Sequence, residues 1–221
     1  MVFFLAGLIA GGIVFFGLYL KARREKERAL AERQLVFQEK EIVVEFMHDM
    51  VEALGEGLSR QELFQRIVHA AILSTGALSA CVFEKKNGDR LRGVAVEGLF
   101  PPHRLLPPSS KVKLTTRARF IEQVLRSESF GIGEGFVGGV ARTLRAELIE
   151  NGIGDPRLVQ HDDPALAIRS IIAAPILFGD RLIGVLAVAN PVTGQSFTST
   201  DFSLVQSLAE QAGLAIHNNE F

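Results

Sequence analysis

The stretch RSIIAAPILFGDRLIGVLAVA, residues 169–189, decides the fold. Two apolar runs, 169–178 and 181–189, flank Gly179-Asp180, a pair of the kind that closes a two-residue β-hairpin. Neither run alternates apolar with polar residues, so the hairpin is expected to be a central pair buried on both faces. Such a sheet needs a layer on each side, and the rest of the chain supplies them. Ser59-Arg60-Gln61-Glu62 has the pattern of a capping box, and Leu63, Ile67, Ala70, Ala71 and Leu73 follow at helical spacing up to Thr75-Gly76. An earlier hairpin is expected from 77–83 and 91–96, turning at Lys86-Asn87-Gly88-Asp89. Residues 97–112 carry four prolines (Pro101, Pro102, Pro107, Pro108) and read as a loop. The stretch 115–127 reads as a helix burying Phe120, Ile121, Val124 and Leu125. Gly131-Ile132-Gly133-Glu134-Gly135 then feeds a helix over 136–144, followed by a short strand at 146–150. Asp163-Pro164 pairs an N-cap with proline at the first helical position. A last helix, 199–219, is apolar through Phe202, Val205, Leu208, Ala212 and Ile216. Helix, hairpin, helices, hairpin and helix predict an α+β fold, a mostly antiparallel sheet covered by helices.

N-terminal to this region the chain changes character. Residues 2–20 hold no charged side chain and would make a helix of about 28 Å, close to the thickness of the bilayer hydrocarbon. Lys21-Ala22-Arg23-Arg24-Glu25-Lys26-Glu27-Arg28 follows at once, and its basic residues predict a retained, single-pass inner-membrane anchor with the N-terminus outside. Gly7 and Gly11 are spaced for close helix approach. Residues 21–53 lack Pro and Gly, alternate in charge and read as a long connecting helix. Leu30, Phe37, Val44 and Val51 recur at steps of seven, which fits either a parallel two-chain coil or a helix packed on its own domain. The expected division is therefore 1–20, 21–53 and 54–221, with a homodimer favoured.

Composition narrows the function. Across 221 residues, 24 Lys+Arg balance 25 Asp+Glu, so no basic field draws the chain to nucleic acid. Cys81 is the single cysteine, which excludes an intramolecular disulfide and any cysteine zinc cluster. Within its apolar strand it reads as a small core residue. No phosphate-binding loop, nucleophile elbow or zinc-protease motif is present, so the sequence names no catalytic residue. His161-Asp162-Asp163 reads as a loop ending in a cap, since three adjacent residues seldom converge on one ion, and no metal ligand is assigned. The glycine loop 131–135 has two readings. It can offer backbone N–H groups to an anion, or it can be a tight turn seating the next helix on the sheet.

The helix at 62–74, Gly133-Glu134-Gly135-Phe136-Val137-Gly138, Ala173-Ala174-Pro175-Ile176, Leu182-Ile183-Gly184-Val185-Leu186 and Phe197 through Asp201 together resemble a GAF domain over about 50–219. The wording of the whole stretch is most similar to bacterial signalling proteins that continue into a SpoIIE-type serine/threonine phosphatase. The resemblance implies a pocket on one sheet face, dimerising helices on the other, and a cytoplasmic sensory role controlling an output module. It assigns a small-ligand site to Phe83, Val94, Gly133, Gly135, Phe136, Asn190 and Asp201, with the cofactor left unknown. Cyclic-nucleotide-binding relatives carry Asn-Lys, Phe and Asp-Glu where this chain has Asn190-Pro191, Phe197 and Asp201-Phe202, so cyclic nucleotides are expected to bind weakly or not at all. Cys81 matches no pigment-attachment motif. Methionine sulfoxide reduction, known for small GAF proteins, needs a second thiol, and a structural dimeriser with an empty pocket completes the alternatives.

Overall fold

The computed structural model describes residues 59–106 and 114–219, together with Lys21 and Arg23. The expected membrane span, most of the connecting helix 21–53 and the end of the proline-rich loop lie outside the described residues. Among the described residues no helix is long and apolar enough to cross a membrane.

Ser59 opens α1 (Arg60–Thr75) through the expected capping box, and Gly76 closes it at φ +63°. Strands β1 (Ala77–Lys86) and β2 (Arg90–Glu97) form the first hairpin. Its loop holds three residues, 87–89, with Gly88 and Asp89 both at positive φ. Helix α2 (Leu114–Ser127), β3 (Phe130–Gly131), α3 (Gly135–Thr143) and β4 (Glu147–Ile149) follow. A single 3-10 turn, Pro164–Leu166, is capped by Asp163, whose carboxylate accepts from the Ala165 N–H at 3.0 Å. The decisive hairpin is β5 (Ile171–Phe178) with β6 (Arg181–Pro191), closed by Gly179 at φ +57°. Helix α4 (Ser199–Asn218) ends the described region, its capping box formed by Thr198 and Asp201.

All pairings are antiparallel, and the sheet runs β3-β2-β1-β6-β5-β4. The two centre strands are β1 and β6, which come from different hairpins. Both runs of the decisive hairpin are buried on both faces, although β5 lies one strand further out beside the three-residue β4. Ala80, Val82, Ile172, Ala174, Leu186 and Val188 face α1 and α4. Cys81, Phe83, Ile171, Ala173, Val185 and Ala187 face α2, α3 and the coil segments.

Two expectations are corrected. Phe120 is exposed (45%), because the inner face of α2 is set by Ile121, Val124 and Leu125. Val94 lies with the α1/α4 core. Val82 pairs with Ala95 and Phe83 with Gly93, so Val94 is the extra residue of a β-bulge and the alternation of β2 changes phase there.

Helix α4 approaches the sheet closely at Gly213, where a Cβ would overlap the carbonyl oxygen of Leu177. Gly213→Ala should therefore cost about 1–3 kcal/mol by forcing the helix outward. Gly139→Ala, on an α3 position with open space around it, should be neutral or stabilise by up to about 1 kcal/mol. Urea midpoints of the two variants check both.

Candidate functional site

On the sheet face opposite α1 and α4, four phenylalanines converge. Phe83 of β1 meets Phe100 and Phe130 edge to face, at centroid distances of 5.7 and 5.4 Å. Phe136, in the first turn of α3, joins the same core. Segment 100–103 crosses above them, and Arg157, Leu158, Val159, Ile168 and Ile171 complete the wall of a recess. Its free volume is about 30 Å³, room for a water-sized guest, where ligand pockets span roughly 300–1,000 Å³. Side chains already fill the site.

One of them is His103, whose ring stacks on Phe130 with centroids 4.0 Å apart. Its Nε2 lies 3.6 Å from Glu134. Burial depresses its pKa below the ordinary 6.5, against the pull of Glu134. The backbone N–H of His103 donates to Glu128 at 2.7 Å. Glu128 is itself buried, and its other oxygen meets Arg104 at 3.5 Å. Desolvation raises this carboxyl above its ordinary value, outweighing the His103 N–H and Arg104. A third tie is His161, whose Nε2 donates to the Pro102 carbonyl at 3.0 Å.

The glycine loop is the tight turn. The Gly131 N–H donates to the Glu134 carboxylate at 2.8 Å, Gly133 N–H to the Gly138 carbonyl at 2.7 Å, and Phe136 N–H to the Arg157 carbonyl at 2.9 Å. These N–H groups are bonded to the protein, and Glu134, held low in pKa by the first bond, adds a negative charge. Arg157 offers little to an anion either. It is engaged by Asp155 and Glu147 and lies 5.5 Å over the Phe136 ring.

Of the residues the resemblance nominated, Phe83 and Phe136 line the recess, and Gly135 lies against His103. Gly133 is turned toward Arg142. Asn190 is a brace held at φ +59°. Its side chain accepts from Arg169 N–H at 2.7 Å and donates to the Ala167 carbonyl at 2.9 Å. Asp201 caps α4, and Phe197 sits in the opposite core. His161 and Asp163 diverge, the latter pairing with Arg117. Cys81 is wholly buried on β1, and burial pushes its thiol well up. Phe100, His103, Phe130 and Arg157 were missed. The Phe100-Pro101-Pro102-His103 run is a signal that could have found two of them, since the prolines stiffen a segment already assigned to this face.

A family model described as GAF domain matches residues 59–216. The structure is similar to the GAF domain of the Acinetobacter phosphoenolpyruvate-protein phosphotransferase, at 17% identity and TM-score 0.57, covering 79% of this chain and 92% of that one. It is also similar to the GAF-B domain of DevS from Mycobacterium smegmatis (18%, TM-score 0.51, 72% and 93%). A third similar structure is the free methionine-R-sulfoxide reductase of Neisseria meningitidis in complex with its substrate (13%, TM-score 0.58, 82% and 90%). At these identities the likeness establishes the fold alone.

The raised Glu128 carboxyl keeps a proton that the unfolded chain has released, so above pH 4.5 this group lowers stability as pH rises toward its folded value. His103 acts in the other sense, since its depressed pKa removes stability as pH falls below 6.5. Glu128→Gln abolishes the first titration. The stability of this variant relative to the parent should increase between about pH 4 and pH 7, as read from urea midpoints at each pH.

Proposed function

The chain belongs to the GAF family of signalling and ligand-binding modules, and from that premise we propose that it is the cytoplasmic sensory part of a membrane-anchored bacterial signalling protein. The observation that carries this reading is the phenylalanine-lined recess, roofed by an irregular segment that only a few polar ties hold down. A small molecule entering there must move that segment and the sheet face beneath it. The opposite face carries α1 and α4, which share one core, so a change in the sheet reaches both helices together. Residues 21–53 lead into α1 and are its route to the membrane, supported by the uncharged stretch 2–20 and the basic flank behind it. A homodimer through these helices and an output module of serine/threonine phosphatase type complete the proposal, on the resemblance of the sequence. An enzyme of the sulfoxide reductase kind has less support, since Cys81, with its raised pKa, is a poor nucleophile.

A native mass spectrum of the full chain released from detergent micelles tests the reading. Dimers carrying one small molecule per chain are expected, together with cytoplasmic behaviour of a reporter fused after Phe221. Bare chains, or periplasmic reporter activity, would remove the cytoplasmic sensor.

Cyclic GMP and cyclic AMP should bind more weakly than micromolar in isothermal titration. Asn190→Ala should instead act on stability, lowering it by about 1–3 kcal/mol, because the brace on 167–170 is lost. Micromolar nucleotide binding abolished by Asn190→Ala would reverse this assignment.

A further inference from the structure

The recess holds only about 30 Å³ of free space, so any organic guest must take the place of a side chain. Five of the lining residues ride on the sheet or on α3, and the others, His103 among them, sit on coil. Phe83, Phe130, Phe136 and Ile171 are almost wholly buried and anchored by regular backbone hydrogen bonding. His103 differs on each count. It sits on coil, its side chain keeps 20% exposure, and its flat ring lies in a slot rather than in a close-packed core. Phe130 forms one wall of that slot. Gly135 forms another, where φ +62° favours glycine and a Cβ would overlap the His103 ring at Cε1. The space is shaped for one planar ring, and a ring of this chain occupies it.

Two acceptors lie beside the slot. Glu134 presents a carboxylate toward Nε2, kept ionised by its bond from Gly131. The Arg157 carbonyl lies beside Gly135, with a lone pair left after accepting from Phe136 N–H. The neighbouring backbone donors of Gly131, Gly133 and Phe136 are all in use. A carboxylate or phosphate guest would meet the like charge of Glu134, with those three donors already in use and Arg157 held by Asp155 and Glu147.

We infer that His103 is a resident plug in the ligand seat, and that the seat takes a single-ring nitrogen heterocycle bearing N–H donors, neutral or cationic, which displaces the histidine ring. This rests on the sensory reading of the same recess and adds to it the class of ligand and the contact that keeps the site closed. Displacement taxes the apparent affinity by the fraction of time the plug is out. It also releases the strap from the Phe130 stack, which is how occupancy would be felt outside the pocket.

The test uses the full chain in detergent, with 2-aminopyridine as donor-bearing probe, nicotinate as its acidic counterpart, and isothermal titration as readout. His103→Ala should bind 2-aminopyridine at least tenfold more tightly than the parent and nicotinate at least tenfold more weakly than 2-aminopyridine. Adding Glu134→Gln to that variant should erase most of the preference. Equal affinity for the two probes, or no gain on removing His103, would overturn the inference. Should His103→Ala fail to fold, proton NMR of the parent decides. The His103 ring resonances, shifted by stacking on Phe130, should move toward solvent values as 2-aminopyridine is added, and unmoved resonances would overturn the plug. A phosphorylated or carboxylate molecule retained by the parent in the native spectrum would sink this inference and leave the sensory reading standing.

Discussion

The antiparallel pairing of β1 with β6, from Ala77 opposite Pro191 to Glu84 opposite Gly184, is the constraint from which the rest follows. It joins two hairpins, one ending at Glu97 and the other beginning at Ile171, into one sheet. Successive side chains of a strand point to opposite faces, so this register alone sorts the two cores. Val82 and Leu186 go to the α1/α4 core, Cys81, Phe83 and Val185 to the core on the recess side. Slipping it by one residue would exchange the faces and put Phe83 under α1. The close approach at Gly184, against the Phe83 carbonyl, lies within this pairing, and that at Gly213, against Leu177, sets how near α4 comes to the sheet.

The recess inherits its character from that sheet. Strand positions supply its floor in phenylalanine, while its roof is coil, tied by one backbone bond to a buried carboxylate and by one imidazole bond to a carbonyl. The floor is thus held by sheet hydrogen bonding, and the roof by these few ties. The charges point the same way. Glu134 completes the glycine turn with its own side chain, and Asp155 with Glu147 engages Arg157, so an anion finds its natural anchors already bonded to the protein. A helix start that resembles an anion site in sequence has been closed by the residue inserted in it.

Much of this was legible in the chain. The capping boxes, the Gly179-Asp180 turn, the burial of both runs of 169–189 and the layered α+β class rest on local spacing and on apolar periodicity, and these act within a few residues. The pocket face was legible through Phe83 and Phe136 for the same reason. Three things were decided only by the tertiary structure. The β-bulge that turns Val94 away from the recess depends on how β1 and β2 pair, and alternation counted along β2 alone cannot contain it. Asn190 and Asp201 keep the residue types of a nucleotide site yet serve as a brace and a cap, because what they touch is set by 167–170 and by Thr198. His103 and Arg157 meet over Gly135 from segments more than fifty residues apart, and no local pattern records such a meeting. Sequence periodicity determined which face of each element is buried; long-range packing decided which side chains share the recess and which of their hydrogen-bonding groups are bonded within the protein.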